Sequence, residues 1–307
     1  MLEIKKVNIA VISYNSQETI LETLNSILIQ SYGTNNIELI ISDDGSTDKT
    51  VSLVNKWVEE NKYKFFNVKL FLNEKNNGVS KNCNIAWRAC EQDWVKSIAA
   101  DDVLLPGCIS SFMNFVTNNP EAKVVFSYME WFGNKVQVTP KNYQLDFFSY
   151  DSLKQNEYLK YFSFNIAPTS FINVSALKEV GFADEKYKLF EDLPLWLNFT
   201  SKGIRLYFNN EVTVRYRIGE SISKKFDKFI NKEFINNCIT LNEDCKKAFF
   251  PSYQWFLKKE ELFLLRYQLF LAGVFNNKKN PSNFFYIMGW ILVPITILSR
   301  IKLMISK

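Results

Sequence analysis

The sequence contains no histidine. That absence removes the Ser–His and Cys–His nucleophilic devices, His-ligated zinc and the usual neutral-pH proton carrier. Acid–base work falls to carboxylates, lysine, tyrosine or cysteine. Cysteine is sparse and unpatterned: Cys83, Cys90, Cys108, Cys238 and Cys245 form no C-x-x-C pair, and their number is odd. Two of the intervals are two helical turns, a packing distance, so a reduced setting without disulfides is expected. No glycine-rich loop follows the first strand. Ser13-Tyr14-Asn15-Ser16 stands where a Rossmann dehydrogenase needs G-x-G-x-x-G and a sugar-nucleotide pyrophosphorylase needs a glycine-rich, arginine-bearing loop. Met1 leads into charged residues, not an apolar signal core, so export is not expected. The net charge of +5 is spread out and no aromatic-rich RNA motif accompanies it, which argues against nucleic acid. It suits an anionic substrate or membrane face.

What is present is ample apolar material, 47% of residues, enough for one large domain or a domain with an appendage. The first hundred residues alternate strand and helix patterns. Val7 to Ile12, Ile37 to Ile41, Val68 to Leu72 and Trp94 to Ala100 read as buried strands. Between them, helices are expected around Ile20–Leu28, around Val51–Val58 and through Cys83, Ala86, Trp87 and Cys90. Asn15 and Glu18 are spaced like a capping box for the first helix, and Ser46 or Thr47 is placed to cap the second. This β-α-β order predicts a parallel sheet with helices on both faces. Ligands bind such sheets beyond the carboxyl ends of the strands. Ser13-Tyr14, Asp43-Asp44 and Asp101-Asp102 all fall on that edge. Further strands are expected at Val124–Tyr128, Phe171–Ile172 and Val212–Tyr216, with helices at Ser175–Val180 and Leu193–Thr200.

Adjacent aspartates at the end of a buried strand repel, and one protonates unless a cation joins them. Hard oxygen ligands suit Mg²⁺ or Mn²⁺, which would hold a substrate's phosphates. The plainer readings are a loop, or an Asp102 cap on a helix starting near Pro106. Asp43-Asp44-Gly45-Ser46-Thr47-Asp48 follows a second buried strand, one sheet position away in the wound order, and one Asp is left over to face the ligand edge.

Taken together, Val11-Ile12-Ser13-Tyr14-Asn15, Ser42–Asp48, Asn77-Gly78-Val79-Ser80 with Asn84, Ala100-Asp101-Asp102, Val180-Gly181-Phe182 and Glu191–Leu197 resemble the family 2 inverting glycosyltransferases of GT-A fold. The resemblance covers roughly residues 5 to 223. It implies an α/β, Rossmann-like wound mixed sheet flanked by helices, in residues 1–223; beyond it, the shift to Lys, Phe, Asn and Leu at helical spacing reads as a helical, membrane-associating extension in 224–307. The resemblance also implies site roles. Ser13 and Tyr14 would line the nucleotide pocket, and Asp44 would accept a hydrogen bond from the base. Asp101 would lie against the ribose or a metal-bound water. Asp102 would bind Mn²⁺ or Mg²⁺ at the donor diphosphate. Asp192 would be the general base. Glu191 and Trp196 would line the acceptor, and so would Thr169 unless its segment is a plain surface turn; the plainer reading of Glu191-Asp192 is an N-terminal helix cap. Arg217 reads either as a diphosphate contact or as a solvated edge-strand arginine. In many relatives a histidine precedes Ser-Ile-Ser after a Tyr-Arg strand; here Gly219 holds that place, before Ser221-Ile222-Ser223.

Helices are expected at about Phe226–Phe249 and Pro251–Val274. Phe284 to Leu298 is apolar but broken by Gly289 and Pro294 and short of the ~20 residues of a span. Followed by Arg300, Lys302 and Lys307, it reads as an interfacial or re-entrant contact; a buried C-terminal helix and a true span are the alternatives. The expected activity is transfer from a nucleotide sugar, a UDP-sugar by preference, to a lipid-diphosphate-linked or growing glycan acceptor in surface polysaccharide (O-antigen or capsule) assembly. The setting would be peripheral, on the cytoplasmic face of the inner membrane. The alternative is a glycosyltransferase-like assembly partner that has lost turnover.

Overall fold

The computed structural model describes residues 5–133, 136–160, 162, 166–218, 230–245, 252–277, 288–289, 291–295 and 297–298. The chain separates into two compact units, one of residues 1–159 and 163–218, the other of residues 160–162 and 219–307.

The first unit opens with β1 (Val7–Ser13), α1 (Ile20–Leu28), β2 (Ile37–Asp43), α2 (Thr50–Asn61), β3 (Asn67–Leu72), α3 (Val79–Arg88) and β4 (Trp94–Ala99). β1 pairs in parallel with β2 and β4, and β2 with β3. β1 is buried on both faces: Val7, Ile9 and Val11 pack with Leu24, Ile27, Val54 and Trp57, while Ala10 packs with Ala86 and Trp87 of α3. Strands covered on both sides read as near-continuous apolar runs, which is why these were legible. β1 lies between β2 and β4, so the two aspartate pairs sit two strand positions apart, not one as the sequence suggested.

The rest of the sheet is mixed. β5 (Val103–Leu104), α4 (Cys108–Asn118), β6 (Val124–Gly133), β7 (Gln137–Thr139), α5 (Asn142–Ser149), α6 (Ser152–Leu159), β8 (Phe171–Asn173), α7 (Val174–Val180), α8 (Asp192–Ser201) and β9 (Leu206–Ile218) follow. The strand order is β3-β2-β1-β4-β8-β6-β9-β5, with β7 on β6. β8 runs antiparallel to β4 and β6, and β9 runs parallel to β6 with a register shift after Ser127. β9 begins earlier than the expected Val212 because the alternation there is weak: its residues are mostly half-exposed.

Three cap assignments differ from expectation. α1 begins at Ile20 without a side-chain cap, because the amides of Thr19 and Ile20 both donate to the Ser16 carbonyl. Asn15 instead adopts φ 48° and its Oδ1 accepts from the Thr47 amide at 2.8 Å. At α2, Asp48 rather than Ser46 or Thr47 accepts from the Thr50 amide, at 2.9 Å. Asp102 caps nothing; α4 starts at Cys108 after Gly107.

In the second unit α9 (Lys232–Cys245) and α10 (Ser252–Val274) are joined by Arg266–Glu243 at 2.8 Å and by Asn242 donating to Glu261 at 3.0 Å. Among the described residues no helix is long and apolar enough to cross a membrane. Residues 219–223 lie outside the described residues, as do 284–287, 290 and 296 of the apolar stretch and the ends of the expected 226–249 helix.

Candidate active site

The parallel strands end together, and their ladder continues past the strand ends into the loops. The Asp44 amide donates to the Ser13 carbonyl at 2.9 Å and the Ala100 amide to the Ile12 carbonyl at 3.0 Å. This brings Ser13, Tyr14, Asp43, Asp44, Asp101 and Asp102 to one edge, the convergence expected of the sequence. Asn82 of α3 sits beneath it, donating to the carbonyls of Ser13 (3.3 Å) and Ser42 (3.0 Å).

Neither aspartate of the Asp43-Asp44 pair is left over. Asp43 accepts from Ser13 Oγ at 2.7 Å, Ser46 Oγ at 2.6 Å and the Ser46 amide at 2.8 Å. Asp44, buried, accepts from the amides of Asn77 (2.9 Å) and Gly78 (2.8 Å) and from Asn73 Nδ2 (3.3 Å). A carboxylate offers about four lone-pair sites, so Asp44 retains roughly one. Tyr14 is the exposed aromatic of this edge, at 46%.

At the end of β4, the hydroxyls of Thr19 and Thr23 in the α1 region hold the carbonyls of Ala100 (2.8 Å) and Asp102 (2.7 Å). The Arg217 amide, near the end of β9, donates to Asp102 Oδ1 at 2.9 Å, and Arg217 Nε donates to the Asp101 carbonyl at 2.8 Å. The Arg217 guanidinium also pairs with Glu22 and lies over the Phe132 ring. Asp102 Oδ2 is buried and has no hydrogen-bond partner. Burial, then the Asp101 charge, pushes the Asp102 carboxyl well above the usual carboxylate range; burial raises Asp101 as well. An unpaired buried carboxylate oxygen beside a second acid is costly, and a divalent cation removes that cost. The donor set is hard oxygen, as Mn²⁺ or Mg²⁺ requires.

Glu191 and Asp192 open α8, half-buried and without a side-chain cap bond from Glu191. Burial, then the Asp192 charge, pushes Glu191 up to about 7, and burial raises Asp192. Cys83 of α3 feels both acids and Asp44 as well: after burial itself, their charges push its thiol well above the normal range. Glu191, Asp192 and Asp44 thus all act electrostatically on one buried side chain of α3.

Two expected acceptor residues are instead internal. Trp196 is 6% exposed and meets Phe126 edge-on, ring centroids 4.9 Å apart. Thr169 is fully buried, its hydroxyl donating to the Ile166 carbonyl at 2.8 Å and accepting from the Ser127 amide at 3.2 Å. Both support the sheet from within because their helical or turn positions face its covered side. Lys96, which the sequence gave no role, is fully buried in β4, its Nζ donating to the carbonyls of Ser97 (2.5 Å) and Pro168 (2.6 Å). Burial pushes its ammonium down to about 8, partly offset by Cys108 and Asp102. Its signal was a charge at an inward position of an otherwise apolar strand.

Comparison with known proteins places this edge in context. The family model described as Glycosyl transferase family 2 matches residues 8–181. The chain is 31% identical over 229 residues, 74% of its length and 83% of the relative's, to the Escherichia coli UDP-Glc:alpha-D-GlcNAc-diphosphoundecaprenol beta-1,3-glucosyltransferase WfaP. It is 24% identical, over 66% of its length and 70% of the relative's, to the Escherichia coli UDP-Gal:alpha-D-GlcNAc-diphosphoundecaprenol beta-1,3-galactosyltransferase. Among solved structures, S. aureus TarS 1–349 in complex with UDP-GlcNAc aligns with TM-score 0.61 at 21% identity, covering 86% of this chain and 72% of that one. The mannosyltransferase PcManGT from Pyrobaculum calidifontis, in complex with GDP-Man and Mn²⁺, aligns with TM-score 0.56 at 16% identity, covering 96% and 83%. These likenesses show the fold to be the GT-A arrangement.

Proposed function

The chain belongs to glycosyl transferase family 2, and from that premise we propose that it is a metal-assisted inverting transferase moving a sugar from a UDP donor to a lipid-diphosphate-linked glycan. The setting is surface polysaccharide assembly, of O-antigen or capsule type. The observation that carries the chemistry is the buried, unpartnered Asp102 Oδ2 beside Asp101 at the end of β4. The substrate class is supported by the two Escherichia coli relatives, both named for acting on alpha-D-GlcNAc-diphosphoundecaprenol.

In this reading Tyr14 and Ser13 border the nucleotide and Asp44 spends its remaining lone pair on the base. Asp102, with Asp101 beside it, would hold Mn²⁺ or Mg²⁺, which would neutralise charge on the departing diphosphate. Arg217, fixed by Glu22 and the Asp101 carbonyl, contributes positive charge at the same place. Asp192 takes the proton of an acceptor hydroxyl. The hydroxyl oxygen bonds to the anomeric carbon from the face opposite the diphosphate, whose C–O bond breaks with the electron pair leaving on the nucleotide. The configuration inverts. Glu191, beside the base, borders the acceptor.

We place the protein peripherally at the cytoplasmic face of the inner membrane. The net charge of +5 and the exposed Phe263, Phe270, Val274, Ile291, Leu292 and Leu298 support this placement.

The test is a screen of nucleotide sugars against synthetic lipid-diphosphate-GlcNAc acceptors. Transfer from a UDP-sugar is expected, lost with EDTA and restored by Mn²⁺ or Mg²⁺, but not restored in Asp102→Asn. Metal-independent transfer would remove the role given to Asp102. Nucleotide binding without transfer from any donor would favour an assembly partner without turnover.

A further inference from the structure

The Asn77-Gly78-Val79-Ser80…Asn84 stretch has no part in the chemistry above, yet α3 presents an unusually polar buried face: Ser80, Asn82 and Asn84 are at most 1% exposed. Buried polar groups are costly unless paired, so their partners define what the face is for. Asn84 clasps one residue from both sides, its Nδ2 donating to the Ala183 carbonyl at 2.9 Å and its Oδ1 accepting from the Ala183 amide at 3.0 Å. The same Nδ2 also donates to Glu185 Oε1 at 2.9 Å. Ser80 Oγ donates to the Tyr187 carbonyl. Gly78, at φ +97°, lies so close to Lys188 that a Cβ there would stand 2.5 Å from the Lys188 carbonyl oxygen. The 183–188 segment is thus hydrogen-bonded to α3 at three successive points, Ala183, Glu185 and Tyr187, with Lys188 packed on Gly78 just before the helix, and it leads directly into Glu191 and Asp192. The N-terminal end of α3, where Gly78 meets Lys188, is also held by Asp44, which accepts from the amides of Asn77 and Gly78.

We propose that Asn84 and Ser80 are positioning residues for Asp192, and that α3 is a strut coupling nucleotide occupancy at Asp44 to the placement of the base. The inference rests on the reading of Asp44 as nucleotide-side and Asp192 as base. Asp44 contacts the strut and the nucleotide with one carboxylate, so occupancy stiffens the Asn77–Gly78 amides, and the three clasps carry that restraint to the segment before α8. Misplacing a reacting group by ~1 Å costs about 10²-fold in rate, so loosening a clasp lowers turnover without touching the nucleotide.

The test uses the full chain, with UDP as the binding probe. In wild type, UDP slows amide hydrogen exchange across residues 183–192. Asn84→Ala is expected to bind UDP within about threefold of wild type, to lose roughly 10- to 100-fold in kcat for transfer, and to lose the UDP-dependent protection. Ser80→Ala, which removes one bond and less volume, is expected to show the same pattern more weakly; it decides the matter if Asn84→Ala does not fold. A purely structural role would lower the melting temperature while leaving kcat per folded molecule and the protection intact, and that result overturns the proposal. So does an absence of UDP-dependent protection in wild type. If Asp192→Asn keeps full turnover, the base assignment fails separately, and the exchange measurement alone judges the strut.

Discussion

At the residue scale the two acidic pairs differ in what surrounds them. Asp102 keeps one buried oxygen without a partner and Asp101 shares its desolvation, whereas Glu191 and Asp192 sit at the start of a helix with their charges against each other. Helix N-termini favour negative charge, and burial opposes it. For the second pair burial wins, holding a proton up to about pH 7 on Glu191. Asp192→Asn removes the proposed base and is expected to lower kcat by roughly 10²–10⁴-fold with UDP affinity unchanged in titration calorimetry. In wild type, kcat should rise with pH as the pair releases its last proton near neutrality. In Glu191→Gln that inflection should disappear and the acidic limb move to lower pH; an unchanged profile at saturating substrates would reassign it. The stability sign runs with the same shift. Glu191 holds its proton more tightly folded than unfolded, so its contribution is complete below the unfolded carboxylate range and is lost as pH rises through about 7. Glu191→Gln should flatten that part of the melting-temperature curve.

At the scale of elements, the aspartate pairs and their strands were legible because β1, β2 and β4 are covered on both faces and end in polar turns. The caps were not, because Asn15 and Thr47 bond to each other across two loops, a partnership that local spacing does not encode. Trp196 shows the same limit. Its motif points to the acceptor, but α8 turns the indole onto Phe126 and Phe199 inside the sheet's covered face. Trp196→Ala is therefore expected to cost about 3–5 kcal/mol of stability, measured by denaturant unfolding. Trp196→Phe should leave the KM for acceptor unchanged. A raised acceptor KM in the folded Phe variant would return the residue to the binding site.

At the scale of the whole molecule, a prediction concerns the second unit. Deleting residues 281–307 is expected to release the protein from membranes in a sedimentation assay; unchanged pelleting would refute the proposed peripheral attachment. The sequence by itself determined the wound α/β core, because apolar periodicity and turn residues are local signals. It also determined which acids reach the ligand edge, because strand ends in a parallel sheet face one way. Only the tertiary structure decided how those acids are held. The Arg217 amide reaches Asp102 from a strand 115 residues away, and Asn84 grips Ala183 across 99. Lys96 and Thr169 became internal supports for the same reason: hydrogen-bond partners remote in sequence are chosen by packing, which no local pattern records. The Asp101-Asp102 pair was visible in the sequence, but its unpartnered oxygen, the feature that points to a cation, exists only in the folded chain.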